Sequence, residues 1–304
     1  MAIVNPGRES SMSEFSSYWN ERLEFLDVHY HIDVDQFKRR YNVIQAGEMY
    51  QKLKGGVVLK NHLGSSASLA SLAQSFDLPV FGSTVLNDIS GGLSVQPIKN
   101  ALCQYEFKLK GRMLVHLPTI VPNKHKSKLT RSYTNEQVVE FATRPIKITD
   151  DDGNLLDSVK DIIEFAENQS IVISTGHATK HEIFALVEYI YGHGKKIKLM
   201  LNQPANPITC LSAKELRQFE EFDWLYTEQT ALTFLLGYQS AEDFSDVVTN
   251  QKNVVYSSDL GQISQIDIPK WRTQSATWFK NIGLTESRVR EISLETPLKM
   301  LDPD

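Results

Sequence analysis

Apolar residues follow two rhythms along this chain. Short, nearly unbroken apolar runs occupy 25–31, 56–62, 80–87, 113–118, 171–177, 196–203, 224–227 and 254–259. Between most of them lie segments with apolar residues at three- and four-residue spacing: 34–53, 66–76, 96–107, 158–169, 179–192, 212–222 and 230–247. Ile183, Leu186, Val187 and Ile190 are an example. The first rhythm is that of strands buried on both faces; the second is that of helices with one apolar stripe. Strands alternating with helices predict an α/β fold with a parallel sheet and helices outside. Eight such units fit a single (β/α)8 TIM-type barrel, with an open doubly wound sheet as the alternative.

One stretch breaks the alternation. Residues 121–157, after the fourth strand, are too many for an ordinary connection between strand and helix. They open with Asn123-Lys124-His125-Lys126-Ser127-Lys128 and Arg131, then pass a hairpin-turn signal at Asp150-Asp151-Asp152-Gly153-Asn154. A solvated basic loop is the simpler reading. The sharper one is a lid-like insertion over the barrel mouth, whose Lys and Arg side chains attract an anionic substrate.

Length and composition narrow the class without changing it. A chain of 304 residues, 41% of them apolar, suits one barrel with a sizeable core. The expected division is a disordered lead over 1–12 and a single domain over 13–304. A formal charge of −5 argues against a nucleic-acid surface. Cys103 and Cys210 are far apart and lack metal-ribbon spacing, so they read as packing residues. No run is long enough to span a membrane, and Met1 to Phe15 carry no apolar signal core. A cytoplasmic protein is expected, with a homo-oligomer open.

Chemistry-bearing residues collect at one end of the runs. His29 and His31, Lys60 and His62, Asn87 and Asp88, His116, His177, Asn202 and Gln203, Glu228 and Asp259 all fall at C-terminal ends. Barrel enzymes work at that end. In Asp27-Val28-His29-Tyr30-His31, strand alternation sends both imidazoles, and Asp27, to one face. Two imidazoles so placed can hold one cation from one side. His29, His31, His177 and Asp259 would supply three nitrogens and an oxygen, with a position left for water. Lys60 and His62 share a face on the neighbouring strand, and Glu228 can orient an imidazole. His181 and His193, at helix ends, read as capping or solvated residues.

These residues resemble the amidohydrolase superfamily. The likeness rests on the DxHxH at 27–31, Thr175-Gly176-His177, Ser258-Asp259, and a tail with Gly283-Leu284-Thr285 and Thr296-Pro297-Leu298. The Leu59-Lys60-Asn61-His62 strand and Ser258-Asp259-Leu260-Gly261-Gln262 turn look most like a sparsely characterised branch of it. The resemblance implies that His29, His31, His177 and Asp259 bind a metal, most often zinc, and that Asp259 handles the proton of the attacking water. Two positions depart from the family pattern. Strand six ends in Asn202-Gln203 rather than His, and strand four ends in His116 rather than a bridging Lys. One divalent metal, Zn2+, is therefore expected rather than two.

The expected protein is a metal-dependent hydrolase acting on a small polar molecule: an amide, lactam, lactone or deamination substrate. Catalytic roles fall to Asp259, with His62, Lys60 or His116 stabilising the developing oxyanion. A lyase, isomerase or decarboxylase on the same barrel is the alternative enzyme. A degenerate barrel used for binding is the alternative outside catalysis. No membrane or nucleic-acid partner is expected.

Overall fold

A computed structural model describes residues 13–123, 125 and 127–303. The expected lead over 1–12 lies outside the described residues, as do Lys124 and Lys126 of the basic stretch.

All strand pairs are parallel. One sheet orders β1 (Phe25–His31), β2 (Gly55–Lys60) and β3 (Val80–Phe81). The second runs through β4 (Ser83–Val85), β5 (Met113–His116), β6 (Ile171–Ser174), β7 (Lys198–Leu201), β8 (Leu225–Thr230) and β9 (Val254–Ser257). The expected third strand is thus divided between the two sheets, with Gly82 alone separating β3 from β4. Nearly every strand residue is buried, as the continuous apolar runs require. The first and last strands also meet. The Asp259 N–H donates to His29 O at 2.9 Å, and the His31 N–H to Leu260 O at 3.0 Å.

Helices follow the strands and begin where side chains can cap them. Asn42, Thr179 and Ser212 form reciprocal capping boxes with Gln45, Glu182 and Glu215. These start the helices Val43–Lys52, Lys180–Gly192 and Ala213–Leu216. The helix expected over 34–53 therefore begins only at Val43. Residues ahead of it form an irregular segment in which Asp35 bonds the backbone of Gln36 and His62, a competition that favours turns over helix. The helix expected over 230–247 divides into Ala231–Leu235 and Ala241–Asn250, broken at the left-handed Gly237 and restarted by the Ser240 cap. Among the described residues, no helix is long and apolar enough to cross a membrane.

The insertion has structure of its own. It contains the helix Glu136–Phe141, and the turn at 150–154 closes with an antiparallel bridge from Thr149 to Leu155. Its middle is fastened to the segment after β1: Lys38 N–H donates to Ser132 O at 3.0 Å, and Thr134 N–H to Gln36 O at 3.1 Å. Cys103 and Cys210 do not pack in the core as expected; both are exposed free thiols. Cys103 lies off the stripe of Ile98 and Ala101 that the helix Val95–Gln104 buries.

At the opposite end, the segment Glu291–Glu295 and the helix Thr296–Leu301 fold back under the strands, burying Met300 and Leu301. Arg112 N–H, just before β5, donates to Leu301 O at 2.6 Å. The N-terminal strand ends are closed in this way, and a cavity opens near the C-terminal ends.

Candidate metal centre

Register decides which side chains meet. His31 is the Cα partner of Lys60, Val85 of His116, and His116 of Ser174, so these C-terminal ends stand level. From β1, His29 Nε2 lies 3.1 Å and His31 Nε2 3.3 Å from the same oxygen, Asp259 Oδ1. His29, His31 and Asp259 form a group compact enough to hold one metal ion. All three are buried.

Asp27 does not join them. The pairing of β1 with β2 slips between Asp27 and Tyr30, so the alternation that would group Asp27 with the histidines is broken. Its carboxylate instead meets the Tyr50 hydroxyl, at 2.5 Å, on the helix Val43–Lys52, and also accepts the Ser258 N–H at 2.9 Å. Asp27 is therefore a fastener between the first strand and the chain after β9. Burial raises its pKa, while those hydrogen bonds pull it down.

Each imidazole of the pair is backed by a buried carboxylate. His29 Nδ1 donates to Glu228 Oε1 at 2.9 Å. Glu228 also accepts from Ser257 Oγ at 2.7 Å and from the Gln203 N–H at 2.8 Å. The proton on Nδ1 leaves Nε2 as the nitrogen that could ligate an ion. His31 Nδ1 lies 3.3 Å from Asp35 Oδ2. Sequence reasoning assigned Asp35 no role, because a helix was expected there. The available signal was spacing: Asp35 stands four residues after His31 and four before Arg39.

Asp35 is a hub. It accepts from Arg39 Nε at 2.8 Å and lies 3.0 Å from His62 Nδ1. Burial would raise its pKa, but His62 and Arg39 hold it well below the carboxylate range. Because β2 ends at Lys60, His62 lies beyond the strand and does not share a strand face with it. Its ring stacks on His31, centroids 4.6 Å apart and planes 5° from parallel. His31, Asp35 and His62 are also compact enough for an ion, yet the Arg39 guanidinium already supplies a cation to that group.

The other expected residues line the same end. Lys60 is buried and its ammonium donates to Asn202 Oδ1 at 2.9 Å. Burial lowers its pKa to about 8, against the pull of Glu228, Asp259 and Asp35. His116 Nδ1 meets Ser174 Oγ at 2.8 Å, while its buried Nε2 has no hydrogen-bond partner among the described residues. His177 faces the same cavity as Asp259, with Gln203 Nε2 3.4 Å from its Nε2, but it stands outside the compact metal group. Burial holds both His116 and His177 well below the usual imidazole range. It lowers His31 to about 3. For Asp259, burial works upward, but His29, His31 and Lys60 hold it well below the carboxylate range. His181 and His193 are exposed, as expected of helix-end residues.

Tight backbone shapes these strand ends. Asp259 and Gln203 both sit at positive φ, 53° and 38°, a strained conformation tolerated where a site requires it. Gly176 precedes His177, and Gly261 lies two residues after Asp259. A Cβ at Gly176 would lie 2.1 Å from Leu117 O, and one at Gly261 2.0 Å from His31 O.

A family model described as a family of unknown function, DUF6282, matches residues 24–228. The chain belongs to this family. The DUF6282 span takes in both histidines of β1, the Asp35 hub, Lys60, His116, His177 and Glu228, and ends before Asp259. A comparison with curated proteins finds no match.

Proposed function

We propose that this chain is a metal-dependent hydrolase of the amidohydrolase type, acting on a small polar molecule at the mouth of a (β/α)8 barrel. Two joins support the barrel: the single residue between β3 and β4, and the hydrogen bonds from 259–260 to β1. One observation carries the metal. With its Nδ1 proton given to Glu228, His29 brings an unprotonated Nε2 within 3.1 Å of Asp259 Oδ1, and Nε2 makes no hydrogen bond. Two such atoms repel unless a cation lies between them. The donors are imidazole and carboxylate, which suits zinc and leaves open positions.

A divalent cation held there would supply Lewis acidity to a carbonyl group and to water. The chain's own residues do the rest. Asp259 reaches the cavity and stays ionised, so it can take a proton from water and return it to a leaving group. Glu228 fixes the tautomer of His29. Lys60 and the unpartnered Nε2 of His116 offer donors to a developing oxyanion.

The test is elemental analysis of the full chain together with hydrolysis of amides, lactams, lactones and amino-heterocycles. About one equivalent of zinc is expected. Asp259→Asn should lower turnover about 10²–10⁴-fold while the chain stays folded. Lys60→Met should keep the metal and lose rate. Failure to retain any divalent metal after reconstitution would overturn the reading; metal without hydrolysis would favour the binding alternative.

A further inference from the structure

The cavity above the metal group is small, about 70 Å3, and open to solvent. Beyond His31, His177 and Asp259, its lining includes two guanidinium groups, Arg39 and Arg131. The two differ. Arg39 is buried and committed to Asp35. Arg131 is exposed, and among the described residues no carboxylate lies within ion-pair distance of it.

Arg131 is nevertheless held in place. Its neighbours on both sides are tied to the body of the fold: Thr130 O accepts from Ser264 Oγ at 3.1 Å, and Ser132 O from the Lys38 N–H at 3.0 Å. Its guanidinium lies 5.0 Å from the centre of the Phe37 ring, which orients the planar head. A cationic fork fixed at a cavity mouth, with no carboxylate paired to it among the described residues, suits an oxyanion of the ligand.

Charge balance points the same way. Asp35, Glu228 and Asp259 are matched by Lys60, Arg39 and Arg131 around this end of the strands. A divalent cation at His29, His31 and Asp259 would therefore leave the site net positive. A neutral or cationic ligand would gain nothing from that field, whereas an anion would.

We propose that Arg131 is the oxyanion anchor of the cavity, so that the small molecule it takes carries a carboxylate or phosphate group. That group sits on Arg131 while the rest of the molecule reaches toward Asp259. What is done to the molecule rests on the hydrolase reading; the binding itself does not.

The experiment titrates the full zinc-loaded chain with malonate and, separately, inorganic phosphate by calorimetry at low ionic strength. Zinc content is measured on every sample. At least one of the anions should bind, and Arg131→Gln should weaken binding about tenfold or more at unchanged zinc content. Arg131→Lys should recover part of the loss, since it keeps the charge but not the fork. An unchanged affinity in Arg131→Gln, no binding of either anion, or affinity that follows zinc content rather than Arg131 would overturn the proposal. A chain that takes up no zinc but still binds malonate through Arg131 would defeat the hydrolase reading and leave this one standing.

Discussion

The two histidines of β1 differ from ordinary buried histidines in what stands behind them. Glu228 accepts from one ring and Asp35 lies against the other, so each imidazole is oriented from outside the metal group. Glu228→Gln keeps the shape but removes the charge that, on the proposed reading, makes His29 a stronger ligand. Zinc affinity should fall about 10–100-fold, read by competition with a chelator, with the circular dichroism spectrum unchanged. Glu228 and the convergence of His29, His31 and Asp259 were legible because each ends an apolar run. Asp35 was not, because its irregular segment carries apolar spacing close to that of the helix after it. On a helix, Asp35 and Arg39 would read as a surface ion pair. A residue-level pH effect belongs elsewhere, at Glu215, whose carboxylate is lowered to about 2, chiefly by the Lys180 ammonium and then by Ser212. Because the folded value lies below the unfolded one, its contribution is fully present above about pH 4.5 and fades as pH falls toward 2. Glu215→Gln should therefore lower Tm slightly at pH 7, and the difference from the native chain should vanish near pH 2; a difference independent of pH would contradict this.

At the scale of elements, the strand-to-loop turns matter more than the helices. Gly261 has φ 120°, and a Cβ there would lie 2.0 Å from the His31 carbonyl oxygen, which is backbone and cannot step aside. Gly261→Ala should destabilise the fold and reduce zinc retention, because the turn carrying Asp259 must withdraw from β1. Gly194→Ala is the matched control: its φ is 61° and nothing lies within 4 Å. It should cost about 1 kcal/mol from backbone strain alone and leave zinc content unchanged. Equal losses in the two variants, measured by thermal unfolding and elemental analysis, would show that steric closeness at Gly261 is unimportant. The helices themselves were readable from period and caps, as at Thr179 and Ser212. What the periodicity could not reveal was interruption: Gly237 divides one helix, and the segment before Asn42 is claimed by the hydrogen bonds of Asp35.

Over the whole molecule, the alternation of strands and helices announced a parallel α/β fold, and the order of pairing follows the order of the chain. The division of the third strand at Gly82 was not readable, since Val80, Phe81, Thr84 and Val85 continue the apolar run on either side of it. The insertion was recognisable by its length, but its anchoring to 36–38 depends on backbone bonds that leave no pattern in the sequence. The join between the two ends of the chain has a further consequence. Asp27 accepts from Ser258 N–H, and His29 O from Asp259 N–H, so the first strand and the segment after β9 complete each other. During synthesis, His29 and His31 emerge early and wait without their carboxylate until the last strand has been made. A polypeptide released before β9 holds half a grip. On the proposed reading, a metal can be gripped only once the chain has been made as far as Asp259.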